Sequence, residues 1–148
     1  MTTTSYSFAQ LTPTVLYEIM KARQEVFTVE QEILYNDLDD VDFHAWHTCV
    51  WHEGHVVCYA RTYCEESGSG VVHIGRVLTA KDFRRQHIAT RVMQEAIKVA
   101  AEQFNATEVM VHAQSYIVDF YKSLGFTVCS DEFIEADIPH YAMRLTLA

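Results

Sequence analysis

The sequence of 148 residues predicts a single α/β (α+β) domain over residues 1–148, with a mixed and mostly antiparallel central sheet flanked by helices. Three observations support this prediction. Short β-branched and apolar segments recur at strand length, several of them separated by glycine-containing turns. Longer segments repeat apolar residues at helical spacing. One such helix lies between two strand segments, as in a parallel pair joined by a crossover. We expect about six or seven strands and about four helices.

The N-terminal part predicts a strand, a helix pair and a loop. Residues 6–11 are expected to form the strand. Thr12 and Pro13 are a typical helix start, because the threonine hydroxyl can cap a helix whose first residue is proline. Apolar spacing extends this helix to about Phe27, and residues 28–33 predict a second short helix or turn. The polar, aspartate-rich residues 35–47 predict a loop, which we call the acidic loop.

The central part predicts three antiparallel strands. Residues 49–52 and 56–63 flank Gly54 in a hairpin pattern, and residues 71–78 follow a second glycine-containing turn. The remaining elements are a helix over 88–105, a buried strand over 108–113 parallel to 71–78, a two-turn helix over 117–124 ending at Gly125, and closing strands over 126–130 and 141–147.

The formal net charge of −9 restricts the expected partners. A negative field repels a phosphate backbone, which argues against a nucleic-acid binder. The apolar stretches are too short to cross a bilayer, and residues 1–5 lack the features of a secretory signal. We expect a cytoplasmic protein with no membrane partner. The acidic surplus either favours a cationic acceptor or serves solubility alone.

An arginine-rich turn before the long helix is the strongest functional signal. Residues 84–89 read Arg-Arg-Gln-His-Ile-Ala. The first N–H groups of a helix have no partner within it, and with nearby guanidinium groups they favour phosphate. A second signal is Tyr121, on the short helix after the buried strand. Together they predict a pyrophosphate-containing cofactor beside one helix and chemistry beside the other.

The turn resembles the signature of the Gcn5-related N-acetyltransferase (GNAT) superfamily, Gln/Arg-x-x-Gly-x-Gly/Ala. Arg84 and Ala89 match it, and His87 stands where glycine is usual. Residues 75–78 resemble the end of the family's fourth strand, and Gln114 occupies a position where relatives often have asparagine.

The N-terminal half is similar to the ElaA-type branch of this superfamily. The similarity lies in residues 23–31, in the acidic loop and in residues 138–140. That branch tolerates a residue other than glycine in the signature. The resemblance covers the chain from about residue 17 to residue 143.

The resemblance implies acetyl-coenzyme A (acetyl-CoA) as co-substrate and no metal. In this family two parallel strands diverge, and the pantetheine arm enters the gap between them. Backbone groups of Val77 and Leu78 would pair with that arm, and the amides from Gln86 to Thr90 would hold the pyrophosphate. The implied cofactor-binding residues are Val77, Leu78, Arg84, Arg85, Gln86, His87, Ile88, Ala89, Thr90, Gln114 and Tyr121.

The resemblance also implies direct attack of a primary amine on the thioester. The amine must lose a proton, and the departing thiolate must gain one. Tyr121 is the expected acid, with a core aromatic as its structural alternative. Glu30 is the first expectation for the base, followed by His140 and His47, since histidine titrates near neutral pH. A water chain is a further alternative.

The same residues leave two alternative functions open. One is a non-catalytic acyl-CoA-binding module, for which His87 would indicate lost activity. Another is an enzyme like the acyl-homoserine-lactone synthases, which residues 23–27 and the acidic loop faintly resemble. The acidic loop lacks the glycine and glutamate positions of a calcium-binding EF-hand. Zinc is disfavoured because His52 and His55 flank a hairpin turn and would not converge with His44 and His47.

The amine acceptor and the role of the acidic loop each have more than one expected answer. A small amine, a peptide N-terminus and a protein lysine all fit the expected chemistry, and a homodimer is an expectation at the level of the family. The acidic loop is expected to be a solvated loop or a lid that attracts cationic acceptors. Arg23, Arg61 and Arg76 are expected to form structural ion pairs with it.

Overall fold

The computed structural model describes residues 1–147, and these form one eight-stranded mixed sheet with helices on both faces. In chain order the elements are β1 (Thr2–Ser7), α1 (Pro13–Arg23), a π-helix (Gln24–Glu30), β2 (Trp46–His52), β3 (His55–Tyr63), β4 (Val71–Thr79), α2 (Ile88–Phe104), β5 (Glu108–Gln114), α3 (Val118–Ser123), β6 (Thr127–Val128), β7 (Phe133–Glu135) and β8 (Ile138–Thr146). The strand order is β1-β2-β3-β4-β5-β8-β6, with β7 paired to β8. Strands β4 and β5 are parallel, and the other pairs are antiparallel.

Two apolar clusters hold the helices against the sheet. The larger cluster buries the apolar stripe of α2, including Val92 and Ala96, against residues such as Val109 of β5. The smaller cluster buries Ile19 of α1 against Tyr59 of β3. Neighbouring residues of a strand point to opposite faces, so one strand can serve both clusters.

A bulge in β4 changes which face its residues use. Tyr59 pairs with Leu78 and Arg61 pairs with Gly75, so one residue of β3 faces two residues of β4. Arg76 occupies the bulge with φ of 51°, in the left-handed region. Before the bulge, even-numbered residues such as Ile74 belong to the cluster around α2. After it, Leu78 belongs to the cluster around α1.

The same region opens the sheet between its two parallel strands. The pairing of β4 with β5 covers only Val71 to His73 on one strand and Glu108 to Met110 on the other. Strand β4 continues to Thr79 and β5 to Gln114 without further pairing to each other. The diverging ends leave a gap in the sheet beside the start of α2.

The structure corrects several predicted boundaries. The first strand covers Thr2–Ser7 and not residues 6–11, because the chain turns into a 3₁₀ helix at Phe8–Gln10. The first α-helix ends at Arg23 and continues as the π-helix, where residues up to Phe27 were expected to be α-helical.

Other corrections concern the strands near the C-terminus. The strand over residues 126–130 is reduced to Thr127–Val128, and the last strand begins at Ile138. Strand β7 has three residues and was not predicted, so the described sheet has eight strands where six or seven were expected. Of the residues that the structure describes, none lies in a helix both long enough and apolar enough to span a membrane.

Candidate active site

The turn before α2 presents a positive, uncapped helix start. Arg85 and His87 both adopt left-handed backbone conformations, with φ of 63° and 60°. No side chain caps α2 at His87. The first N–H groups of a helix normally need an acceptor from outside it. Here they open on a surface that also carries Arg84, and this arrangement suits an anion.

A groove of about 540 Å³ runs from this turn to the end of β4. Its walls come from the π-helix, the end of β4, the turn before α2 and the segment around α3. The lining residues are Val26, Glu30, Gln31, Val77, Leu78, Thr79, Phe83, Arg84, Arg85, His87, Ile88, Ala89, Thr90, Tyr116, Ile117, Phe120 and Tyr121. We call it the cofactor groove.

A second cavity of about 520 Å³ adjoins the cofactor groove at the diverging strands. It is bordered by the acidic loop, by β4 and β5, and by β7 and β8, and we call it the acceptor cavity. The cofactor groove and the acceptor cavity share five lining residues, which are Gln31, Val77, Tyr116, Ile117 and Tyr121. These five residues form the boundary between the two spaces, and we call this boundary the junction.

Tyr121 lies at the junction with its ring packed in the core. The residue is 4% exposed, and its ring meets Phe120 and Phe126 edge-on. Burial raises the pKa of Tyr121, with smaller contributions from Tyr116 and Cys58. The phenol is therefore protonated at neutral pH, which is the state that a proton donor needs.

Glu30 and Arg84 form an ion pair at the edge of the cofactor groove. Arg84 Nη2 donates to Glu30 Oε1 at 2.8 Å, and Nη1 donates to Oε2. Hydrogen bonding from Arg84 lowers the pKa of Glu30. A carboxylate held in this way is a weak proton acceptor, so the geometry argues against the expectation that Glu30 is the base.

His140 borders the acceptor cavity and is 5% exposed. Its Nδ1 lies 2.7 Å from the backbone oxygen of Ile138, which can only accept a hydrogen bond. The neutral ring therefore carries its lone pair on Nε2. Gln114 pairs with His140 across β5 and β8, and its side-chain Nε2 lies 3.4 Å from Gln31 Oε1 at the junction.

His47, the third expectation for the base, has no nitrogen free to act. Nδ1 contacts the hydroxyl of Tyr59 at 2.5 Å, and Nε2 contacts the backbone oxygen of Asp42 at 3.0 Å. The residue is fully buried, and this burial lowers its pKa. His47 is a neutral structural side chain.

The acidic loop forms ion pairs with three arginines, as expected. Arg23, which is fully buried, donates from Nε to the carboxylate of Asp37 at 2.9 Å and from Nη1 to that of Asp42 at 2.7 Å. Arg61 holds both carboxylate oxygens of Asp39, at 2.8 and 2.7 Å. These contacts fix one wall of the acceptor cavity.

Arg76 completes the network from the bulge of β4. Its Nε donates to Asp37 Oδ1 at 2.9 Å, and its Nη2 donates to the Asp37 backbone oxygen at 3.1 Å. The left-handed backbone of Arg76 is thus held by contacts to the loop. The carboxylates of Asp37, Asp39 and Asp42 are all paired with arginine side chains. This pairing favours a structural loop over a lid that attracts cations.

The predicted site residues fall into two groups. Most of the implied cofactor-binding residues line the cofactor groove, with two exceptions. Gln86 lies in the turn and its side chain contacts the backbone of Asp82, while Gln114 lines the acceptor cavity. Of the expected catalytic residues, Tyr121 lies at the junction, Glu30 in the groove and His140 in the acceptor cavity.

Sequence reasoning missed four residues that the structure places at the site. Gln31 and Tyr116 lie at the junction, and His112 and Glu135 line the acceptor cavity. Only His112 carried a signal, as the one polar residue within the stretch 109–113. The described residues contain no group of three or more His, Cys, Asp and Glu side chains able to hold a metal ion.

Comparisons with known proteins agree with this architecture. Residues 11–147 match the family model described as an acetyltransferase (GNAT) domain. A UPF0039 protein of Schizosaccharomyces pombe is 35% identical over 134 residues, covering 89% of this chain and 88% of its own.

Two solved structures are similar over nearly the whole chain. An acyl-CoA N-acyltransferase from Pseudomonas aeruginosa superposes with a TM-score of 0.89 at 32% identity, covering 97% of both chains. Escherichia coli ElaA superposes with a TM-score of 0.90 at 27% identity, covering 97% of this chain and 99% of its own. The family model and these similarities show that the chain belongs to the GNAT acetyltransferase family, in its ElaA-like branch.

Proposed function

We propose that this protein transfers an acetyl group from acetyl-CoA to a primary amine by direct attack on the thioester. The observation that carries the proposal is the junction, where the cofactor groove and the acceptor cavity meet at Tyr121. A donor in the groove and an amine in the cavity would meet there without a covalent enzyme intermediate. Membership of the acetyltransferase family supports the same assignment.

The residues of the groove fit the two polar parts of the donor. The uncapped N–H groups at the start of α2, with Arg84 and Arg85 beside them, suit the pyrophosphate. The end of β4 lacks a strand partner on the side of β5, so backbone groups of Val77 and Leu78 are available to the amide-bearing pantetheine. The backbone of His87 adopts the left-handed conformation of this turn although the residue is not glycine.

We assign the base to His140 and the acid to Tyr121. The acceptor ammonium gives one proton to His140 Nε2, and the N–H electron pair remains on nitrogen as the attacking lone pair. Attack forms the C–N bond, and collapse of the adduct breaks the C–S bond. Tyr121 protonates the departing sulfur and recovers a proton from the adduct nitrogen. The products are the amide, the free thiol and one proton, which leaves His140 for solvent.

The acceptor cavity favours an amine that enters as a cation. Once the arginines are neutralised by the acidic loop, Glu65 and Glu135 still border the cavity. Their charge attracts an ammonium group and repels an acceptor rich in carboxylates. A cytoplasmic location and a homodimer stay predictions.

A thiol-release assay with acetyl-CoA tests the proposal. We expect release of free thiol in the presence of at least one member of a panel of small amines, amino-terminal peptides and lysine peptides. Calorimetry with CoA, run in parallel, measures binding alone. Binding without thiol release for any amine would support the non-catalytic module in place of the enzyme.

A further inference from the structure

The carboxylate of Glu135 lies between two histidines in the wall of the acceptor cavity. Its Oε1 accepts a hydrogen bond from His112 Nδ1 at 2.9 Å, and its Oε2 lies 3.8 Å from His140 Nε2. Phe133 stacks on the ring of His140, with centroids 5.9 Å apart, and meets the ring of His112 edge-on at 5.2 Å. Strands β5, β7 and β8 thus bring three groups that exchange protons into one cluster.

The two histidines differ in their exposure and in their contact with Glu135. The side chain of His140 is 7% exposed, and that of His112 is 45% exposed. The contact of 3.8 Å between Glu135 and His140 is too long for a hydrogen bond. It becomes an attraction between opposite charges once Nε2 has accepted a proton, because the ring is then an imidazolium.

We infer that Glu135 is a positioning residue shared by two histidines: it stabilises the imidazolium that His140 forms on accepting the amine's proton, and His112 competes for the same carboxylate. The inference rests on the proposed function for the identity of the proton donor. In the step itself a proton moves from the ammonium nitrogen to His140 Nε2, while Nδ1 keeps its own proton and continues to donate it to the backbone oxygen of Ile138. No electrons are exchanged with any other group.

The electrostatics of the pair agree with this competition. Hydrogen bonding to Glu135 raises the pKa of His112, and the same contact lowers the pKa of Glu135. A protonated His112 therefore neutralises the carboxylate that His140 would use. The other charged or titratable groups that border the cavity around this cluster are Glu65, Arg76, His73, Asp37, Asp39, Arg61, Tyr35, Tyr63, Tyr116 and Tyr121.

Removing the charge of Glu135 and removing the ring of His112 should have opposite effects on the ring of His140. In Glu135→Gln the imidazolium of His140 loses its counter-charge, so the ring should take up its proton at a lower pH than in the parent protein. In His112→Gln the carboxylate is released from its competitor, so the titration moves to higher pH. Glu132→Gln is the matched control, because Glu132 is a nearby carboxylate bonded to Ser115 and does not border the acceptor cavity.

Nuclear magnetic resonance of the histidine rings in the full chain measures these shifts, with the His140→Gln spectrum providing the assignment. Shifts of opposite sign in Glu135→Gln and His112→Gln, with none in Glu132→Gln, support the inference. No shift in Glu135→Gln, or shifts of the same sign in both variants, overturn it.

Kinetics then connect the cluster to catalysis. The acidic limb of the kcat/KM profile should move in the same direction as the ring titration in each variant. If no amine supports thiol release, the proposed function fails while the ring titrations still report on Glu135. If release occurs and the acidic limb stays fixed although the ring titration moves, the role of Glu135 in catalysis is overturned.

Discussion

The carboxylate of Glu30 and the guanidinium of Arg84 are joined by two hydrogen bonds across one end of the cofactor groove. Glu30 ends the π-helix, and Arg84 begins the turn that precedes α2. A phosphate approaching the turn would compete with Glu30 for the same guanidinium. The ion pair therefore connects the occupancy of the groove to the position of the π-helix.

The first prediction separates this role of Glu30 from a role as the base. In Glu30→Gln, Arg84 loses its competing charge, so CoA should bind about threefold more tightly, and Arg84→Ala should weaken binding about tenfold. Calorimetry measures both values. A fall in kcat of about a hundredfold in Glu30→Gln, with unchanged affinity for CoA, would restore Glu30 as the base.

The second prediction concerns the left-handed residue at the start of α2. A left-handed conformation costs a residue other than glycine about 1–2 kcal/mol, and glycine loses part of that gain through its freer unfolded chain. His87→Gly should therefore raise the free energy of unfolding by about 0.5 kcal/mol and tighten CoA binding.

Asn105→Gly is the matched control for His87→Gly. Asn105 is also left-handed, with φ of 50°, and lies at the opposite end of the same helix. Urea unfolding measures the stability of both variants, and calorimetry measures their affinity for CoA. The interpretation of His87 would be contradicted if CoA bound less tightly to His87→Gly, or if Asn105→Gly changed the affinity equally.

The third prediction tests the acid. Tyr121→Phe removes one hydroxyl from a buried ring and keeps its packing with Phe126. We expect kcat to fall at least about tenfold, because the thiolate must then leave without a positioned proton donor. The dissociation constant of CoA should change little.

Tyr116→Phe provides the comparison for Tyr121→Phe. Tyr116 borders the same junction but is 74% exposed, so solvent can replace its hydroxyl. The kcat of Tyr116→Phe should stay within about twofold of the parent value. Equal turnover in Tyr121→Phe and the parent protein would remove Tyr121 from the mechanism.

The fourth prediction concerns stability in acid. Hydrogen bonding from Arg61 lowers the pKa of Asp39 from 3.8 to about 2. The folded-state pKa lies below that of the unfolded chain, so this stabilisation is complete above about pH 4 and is lost as the pH falls towards about 2. After allowance for solvent screening, we expect Asp39→Asn to lower the free energy of unfolding by about 1 kcal/mol at neutral pH.

Chemical denaturation between neutral pH and about pH 2 measures this effect. The difference between the parent protein and Asp39→Asn should disappear at the acidic end. Asp40→Asn is the control, since within residues 1–147 the Asp40 carboxylate makes no contact with an arginine. A constant difference at every pH would show that Asp39 stabilises the loop by a route other than its charge.

The parts of the fold that depend on local patterns could be predicted from sequence. Thr12 and Pro13 mark the start of α1, and the threonine hydroxyl accepts the N–H of Val15 at 3.2 Å. The spacing in α2 and the crossover to β5 likewise follow from one stretch of chain. The π-helix could not be predicted, because apolar spacing does not distinguish its wider turn from the end of an α-helix.

The candidate site also combines features set by local sequence patterns with features set by long-range contacts. The turn at Arg84 and the helix of Tyr121 are short segments with their own patterns. The junction depends on Gln31 and Tyr116, which come from distant segments and meet only after the sheet has formed. The partners of Glu30 and Glu135 also depend on long-range contacts, so their chemistry could not be inferred from neighbours in the sequence.

The extra residue in β4 has a consequence for how this strand tolerates insertion and deletion. Removing one residue at position 76 would exchange the faces of Val77 and Leu78, which would turn Leu78 away from the pocket beneath α1. Changes of two residues would preserve the alternation. We therefore expect the length of this strand to be more constrained than the identity of the side chain at its bulge.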